Sequence, residues 1–175
     1  MSKRHVFLTG EKQVGKTTII RGFLSRSGLS ADGFITFWES YGESGGGLYL
    51  APFLTDSINE EKYLVAVKGE QKQGPSENML NVFNTRGREI LDNSGRRDII
   101  VMDELGFIES EAAAFRRSVM RHIAGGVPIL GVIKPMHTEF LDEIRAHPEV
   151  EVRMVTAENR KMTLDWLREM NWGNG

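Results

Sequence analysis

The sequence predicts an α/β fold in which a mostly parallel central sheet is flanked by helices and carries an added antiparallel hairpin. Three observations predict it. Continuous apolar runs such as Val6-Phe7-Leu8 and Ile99-Ile100-Val101-Met102 read as strands buried on both faces. Segments with apolar residues at helical spacing alternate with those runs, as in βα units around a parallel sheet. Between them, two β-rich stretches flank a turn rich in Gly and Ser, the pattern of a hairpin.

The first run ends at Thr9-Gly10. From Lys16 to about Ser27 the residues Ile19, Ile20, Phe23 and Leu24 share one helical face, and Gly28 is a stop signal. Gly33 to Trp38 and Gly47 to Leu50 are the expected hairpin strands, and Tyr63 to Val67 a further strand. The polar stretch from about Gly69 to Asn78 contains Gly74-Pro75 and reads as loop. A helix is expected over Val82 to Asp92, weakened at Gly87 by ~1 kcal/mol relative to Ala. Beyond Gly95 the pattern is regular. Strands are expected at Asp98 to Met102, Val127 to Ile133 and Val150 to Val155. Helices are expected at Glu111 to Ile123, Thr138 to Ala146 and Glu158 to Met170. No repeat or linker interrupts the chain, so one domain is expected over residues 1–175.

Bulk properties exclude several classes of function. The formal net charge of −2, with acids and bases scattered, disfavours nucleic acid as a partner. The sequence identifies no protein partner. Absence of cysteine removes disulfides, thiolate metal sites and a cysteine nucleophile, and suits a reducing compartment. No run approaches the ~18 apolar residues of a membrane span, and the N-terminus lacks a secretory pattern. A cytoplasmic location without membrane contact is expected.

The segment Gly10-Glu11-Lys12-Gln13-Val14-Gly15-Lys16-Thr17-Thr18 fits the phosphate-loop pattern G-x4-G-K-[ST], between an expected strand and an expected helix. Such a loop points backbone N–H groups at a phosphate from the positive end of the following helix. Gly10 and Gly15 allow the backbone angles and close approach that a Cβ would block. Lys16 is expected between the β- and γ-phosphates, with the Thr17 hydroxyl on Mg²⁺ and Thr18 near the α-phosphate. The ligand expected is Mg²⁺–nucleoside triphosphate.

Asp103-Glu104 ends the second core strand. A solvated strand end would explain the pair taken alone. Beside a phosphate loop the reading changes, because ligands of open α/β sheets lie beyond the carboxyl ends of the strands. Asp103 suits the Mg²⁺ shell, since Mg²⁺ takes oxygen ligands and keeps several waters. Glu104 suits orienting the water that attacks the γ-phosphate. Asp103-Glu104-Leu105-Gly106 also fits the D-x-x-G pattern of guanine switches, but no Asn/Thr-Lys-x-Asp segment accompanies it.

With these motifs in place, the chain resembles the small nucleoside-triphosphatase family that includes the cancer-related nucleoside-triphosphatase and its THEP-type relatives. The carriers are the phosphate loop with Thr17-Thr18, Gly33-Phe34-Ile35-Thr36, Asp103-Glu104-Leu105-Gly106, and the ending from Val150 to Thr156-Ala157-Glu158-Asn159-Arg160. The resemblance implies a RecA-like P-loop domain and slow, Mg²⁺-dependent hydrolysis of several nucleoside triphosphates, ATP and GTP included. Family members usually carry acids where this chain has Phe37 and Trp38, with Glu39 next, and commonly Lys where it has Phe107.

Thr156 is the expected cap of the last helix. Asn159 and Arg160 would lie on the ligand side of the sheet, near where a base could rest, and Arg160 could contact base or ribose or equally form a surface salt bridge. Lys134 ends a strand where it could sense the γ-phosphate or snorkel to solvent. Arg86, Arg88, Arg96, Arg97, Arg116 and Arg117 are candidate transition-state cations, and the sequence does not choose among them. Phe37, Trp38 and Tyr41 would line a lid or pair across the hairpin. His5, His122, His137 and His147 share no metal-ligand spacing. Besides hydrolysis, two readings stay open: a phosphotransferase for a small metabolite, and a nucleotide-binding regulatory module with little activity.

Overall fold

The structure is a computed structural model, and it describes residues 3–55, 61–70 and 74–173. Seven strands form one mixed sheet: β1 (His5–Thr9), β2 (Ala31–Tyr41), β3 (Gly45–Leu54), β4 (Tyr63–Val67), β5 (Ile99–Leu105), β6 (Ile129–Ile133) and β7 (Val150–Met154). Their order across the sheet is β4-β3-β2-β5-β6-β1-β7. The five strands from β2 to β7 in that order run parallel, and β3 and β4 extend the sheet antiparallel to their neighbours.

The apolar runs are strands because both of their faces are buried. Phe7 of β1 joins the core on one side of the sheet, while Val6 and Leu8 join the core on the other. In β5, Ile100 and Met102 divide from Ile99 and Val101 in the same way. One core is covered by α1 (Lys16–Ser27) and α7 (Arg160–Glu169) through Ile20, Phe23 and Leu167. The other lies beneath α2 (Glu77–Val82), α3 (Arg88–Asp92), α4 (Phe107–Glu111), α5 (Ala113–Ile123) and α6 (Glu139–Ala146).

Two expected helices differ from the sequence reading. The helix expected from Val82 begins at Glu77, because the Ser76 hydroxyl accepts the Met79 N–H at 3.3 Å. It then passes through a π-helical segment, Phe83–Gly87, before α3. Gly87 is buried there, and a Cβ on it would stand 2.9 Å from the Phe115 ring. The helix expected from Glu111 breaks at Ala112 (φ −84, ψ 88), dividing α4 from α5. Asn84 supplies the missing cap, its Oδ1 accepting the Ala114 N–H at 2.8 Å and the Phe115 N–H at 3.2 Å.

The hairpin is longer than expected, pairing Asp32 with Leu54 through to Tyr41 with Gly45. Phe37 and Tyr41 pack around Tyr49, with ring centroids 5.9 and 6.4 Å apart, as cross-strand partners do. On β2, Gly33 lies beside Val101 of β5 with φ +132, and a Cβ would fall 2.0 Å from the Val101 carbonyl oxygen. Gly33→Ala should therefore destabilise the protein by at least ~2 kcal/mol, combining left-handed strain with backbone overlap. Urea unfolding measures this, and an unchanged midpoint would refute the close β2–β5 approach.

Candidate active site

Because β6 lies between β1 and β5, three carboxyl strand ends stand side by side: the phosphate loop after β1, Lys134 after β6, and Asp103-Glu104 on β5. The sequence reading ended β5 at Met102, whereas the strand runs on to Leu105 and carries both acids within it. The peptide bond between them is cis, and the β5–β6 register shifts between Asp103 and Leu105.

The loop has the backbone its glycines require. Gly10 has φ +138, and a Cβ there would lie 2.3 Å from the Val155 carbonyl oxygen. Gly15, at φ +97, is the left-handed residue that opens α1. Lys16 is buried, and its Nζ donates to the carbonyls of Gly10 at 2.9 Å and Glu11 at 2.6 Å. Burial lowers its pKa from the ordinary value, against the pull of Glu104 and Asp103.

Thr17 donates its hydroxyl proton to Asp103 Oδ2 at 2.7 Å. Asp103 is buried, and desolvation pushes its carboxyl up to about 6 despite that hydrogen bond. Glu104 is more open. Its Oε1 lies 3.1 Å from Lys134 Nζ, and its N–H donates to the Thr36 hydroxyl at 3.3 Å. Lys134 is held in turn by its own N–H, which donates to the Leu105 carbonyl at 2.9 Å.

A further acid beside the site escaped the sequence reading. Glu109 of α4 is buried, and its Oε2 accepts the Gly106 N–H at 3.0 Å. Desolvation raises its carboxyl to about 7, with Lys134 opposing and Glu104 adding to the shift. The spacing Gly106-x-x-Glu109, in which a Glu three residues after a cap reaches back to the cap N–H, was the available signal.

At the other flank of the loop, Arg160 lies against Gly15: its Cδ would be 3.3 Å from a Cβ added there. Asn159 pins the preceding turn, accepting the Thr156 N–H at 2.9 Å and donating to the Met154 carbonyl at 2.9 Å. Thr156 is therefore not the cap expected of it: Asn159 stands at the start of α7, which has no side-chain cap, and the Asn159 amide instead closes the turn from Met154 to Thr156.

A cavity of about 500 Å³ opens beside Lys16, Glu104 and Lys134, and Phe37, Trp38 and Phe107 line it as well. None of the six candidate arginines lines it. Arg96 and Arg97 border a cavity of about 650 Å³ beside Asp32, near the other ends of the strands. Arg86 pairs with Glu89, Arg88 with Asp92, and Arg116 lies over the Phe140 ring. Among the described residues no group of three or more His, Asp or Glu side chains could hold a metal. Mg²⁺ does not need one, since one or two protein oxygens plus substrate phosphates and water suffice. The Thr17 hydroxyl and Asp103 carboxylate are such oxygens.

A glycine loop at a helix start, a buried threonine-bound aspartate and a neighbouring glutamate together define a P-loop hydrolase of nucleoside triphosphates. The family model described as NTPase matches residues 5–167, and the chain belongs to this nucleoside-triphosphatase family. It is 31% identical to the cancer-related nucleoside-triphosphatase homolog of Bos taurus, over 92% of this chain and 93% of that one. It is 28% identical to the nucleoside-triphosphatase THEP1 of Methanopyrus kandleri, over 94% and 98% of the two chains. The crystal structure of THEP1 from Aquifex aeolicus superposes with a TM-score of 0.72 at 25% identity, covering 95% of this chain and 99% of that one. No helix among the described residues is long and apolar enough to cross a membrane.

Glu109 gives this region a pH signature. Its folded carboxyl keeps a proton up to about 7, while the unfolded chain releases it near 4.5. Wild-type stability from this group is therefore full below pH 4.5 and is lost as pH rises through 7, by about 3 kcal/mol. Glu109→Gln, which does not titrate, should gain about that much relative to wild type between pH 4.5 and pH 8. Urea unfolding at both pH values checks it, and a pH-independent difference would show Glu109 to be ionised in the folded state.

Proposed function

We propose that the protein hydrolyses Mg²⁺–nucleoside triphosphate to diphosphate and phosphate, slowly and with little choice of base, ATP and GTP among its substrates. The observation that carries this reading is the Thr17–Asp103 hydrogen bond of 2.7 Å next to Lys16 and Glu104. It joins the phosphate loop to the acidic strand end, which supports reading the two as one phosphate site.

The N–H groups of the loop receive the β-phosphate at the positive end of α1. Lys16 exchanges two backbone carbonyls for β- and γ-phosphate oxygens, and its ammonium needs little travel because it is already held beside Gly10. Mg²⁺, held by Thr17 and Asp103, neutralises charge on those oxygens when bound. Glu104 orients the attacking water and takes its proton. Lys134 can leave Glu104 for the γ-phosphate, which frees the carboxylate as substrate arrives. Breadth of base choice follows from Arg160, whose guanidinium offers a planar surface to any base instead of a specific hydrogen-bonding edge. Slow turnover follows from the cavity lining, since an arginine on the transition state is worth 10³–10⁵ in rate and no candidate arginine stands there.

Phosphate release from ATP, GTP, CTP and UTP, without any acceptor, tests the reading. Wild type should release phosphate from all four with Mg²⁺ and from none with excess EDTA. Glu104→Gln should lower turnover by ~10²–10⁴. Lys16→Ala should weaken nucleotide binding by ~1.5–3 kcal/mol, the worth of a charge-assisted contact. Full turnover in Glu104→Gln would refute the role given to that carboxylate. Arg160→Ala should raise KM for all four nucleotides about equally, with kcat little changed, and a loss confined to one base would refute the stacking role.

A further inference from the structure

The cavity beside Glu104 is larger than hydrolysis requires. With Mg²⁺ marked by Thr17 and Asp103, and the base end marked by Arg160, a bound triphosphate runs with its γ-phosphate towards Glu104 and Lys134 (this orientation rests on the function proposed above). The cavity therefore continues past the γ-phosphate. Its volume of about 500 Å³ includes the space beside Gly10, Lys12 and Lys16 that the γ-phosphate takes, but an attacking water adds only about 30 Å³, and the whole falls within the range of small-molecule sites. Its far walls are apolar: Trp38 of β2, Leu48 of β3, Phe107 and Ile108 of α4, and Met136 in the turn after β6. Leu48 and Ile108 are buried, while Trp38 and Phe107 remain 44% and 43% exposed. Two large aromatic rings thus face a space that a ligand can enter.

The polar end limits the charge of that ligand. Lys134 is already paired with Glu104, and buried Glu109 stands next to them. A second anion would meet Glu104 and the γ-phosphate together, and among the described residues lining the cavity the cations are Lys12 and Lys16 of the phosphate loop and Lys134. An uncharged molecule avoids that repulsion. A hydroxyl on it can donate to Glu104, and a flat ring can stack on Trp38 or Phe107.

We propose that this cavity is a second binding site, for an uncharged aromatic or heteroaromatic alcohol of up to nucleoside size, filled together with the triphosphate. Its occupant sits beyond the γ-phosphate and shares no contact with the base at Arg160.

The test uses adenosine, uridine and tryptophol as probes. Each is titrated by saturation-transfer NMR against the full chain, both saturated with Mg²⁺ and non-hydrolysable AMPPNP and free of nucleotide. Saturable binding of at least one probe to the AMPPNP-loaded protein is expected. Trp38→Ala and Phe107→Ala should each weaken it at least about tenfold, as loss of a stacking partner does. AMPPNP affinity should stay unchanged in both variants. Three results would overturn the proposal: no probe binding in either state, probe binding that both variants retain, or probe binding that AMPPNP abolishes. Failure of AMPPNP itself to bind would instead sink the triphosphatase reading, and the nucleotide-free titrations of wild type and both variants would then decide the cavity alone.

Discussion

The hydrogen bond from Thr17 to Asp103 is the constraint on which the rest of the site depends. It ties the first turn of α1 to the end of β5, two elements 86 residues apart in sequence. Asp103 is taken out of water, and the Thr17 hydroxyl with the more distant Arg21 and Lys16 charges only partly offsets the loss, so its proton affinity rises. Such a carboxylate is poorly satisfied in the nucleotide-free protein. The Mg²⁺ of the function proposed above would relieve it, which would couple metal binding to the electrostatic cost built into the fold. Lys16 is the complement. It too is buried, and carbonyls of its own loop hold the ammonium until phosphate oxygens replace them. Both charges are in position before the ligand arrives, and that preorganisation reduces the reorganisation cost of binding.

Much of this was legible in the sequence because local pattern and local chemistry coincide there. The phosphate loop needs glycine at φ angles and distances that only glycine meets, so the motif carries its own geometry. The parallel strands were legible because both faces are buried and the runs are unbroken. The misses share a different cause. The start of α2 depends on the Ser76 hydroxyl, the start of α5 on Asn84 from another helix, and the turn before α7 on the Asn159 amide. Each is a side-chain-to-backbone bond that apolar periodicity does not register. Glu109 was missed for the reverse reason: on an exposed helix it would be an ordinary surface acid, and only the packing of α4 against the sheet buries it.

The three positions at which the resemblance implied a departure, Phe37, Trp38 and Phe107, share one cavity, although two lie on β2 and the third on α4. The two on β2 do not behave alike. Strand alternation sends Phe37 towards Tyr49 on the far face of the hairpin, while Trp38 keeps its ring exposed on the face that carries Phe34 and Leu48. The sequence reading had offered lid lining and cross-strand pairing as alternatives for these aromatics. Phe37 and Tyr41 pair with Tyr49 across the hairpin, while Phe37 and Trp38 both line the cavity.

That alternation also couples the cavity to the chemistry. Thr36 lies two residues before Trp38 on the same face of β2, and its hydroxyl accepts the backbone N–H of Glu104. The strand that presents the aromatic wall is therefore the strand that fixes the backbone of the proposed base. On the opposite wall, Phe107 and Ile108 follow directly from Gly106, whose N–H is bound by Glu109 and whose Cα lies against the Lys134 side chain. A molecule that shifted Trp38 or Phe107 would act on elements one or two residues from Glu104 and Lys134. Because β2 is wedged between β5 and β3 by register and by the Gly33 contact, such a shift would be transmitted along the strand instead of absorbed by a loop. In the function proposed above, occupancy of the neighbouring cavity would therefore bear on the position of the proposed base, Glu104.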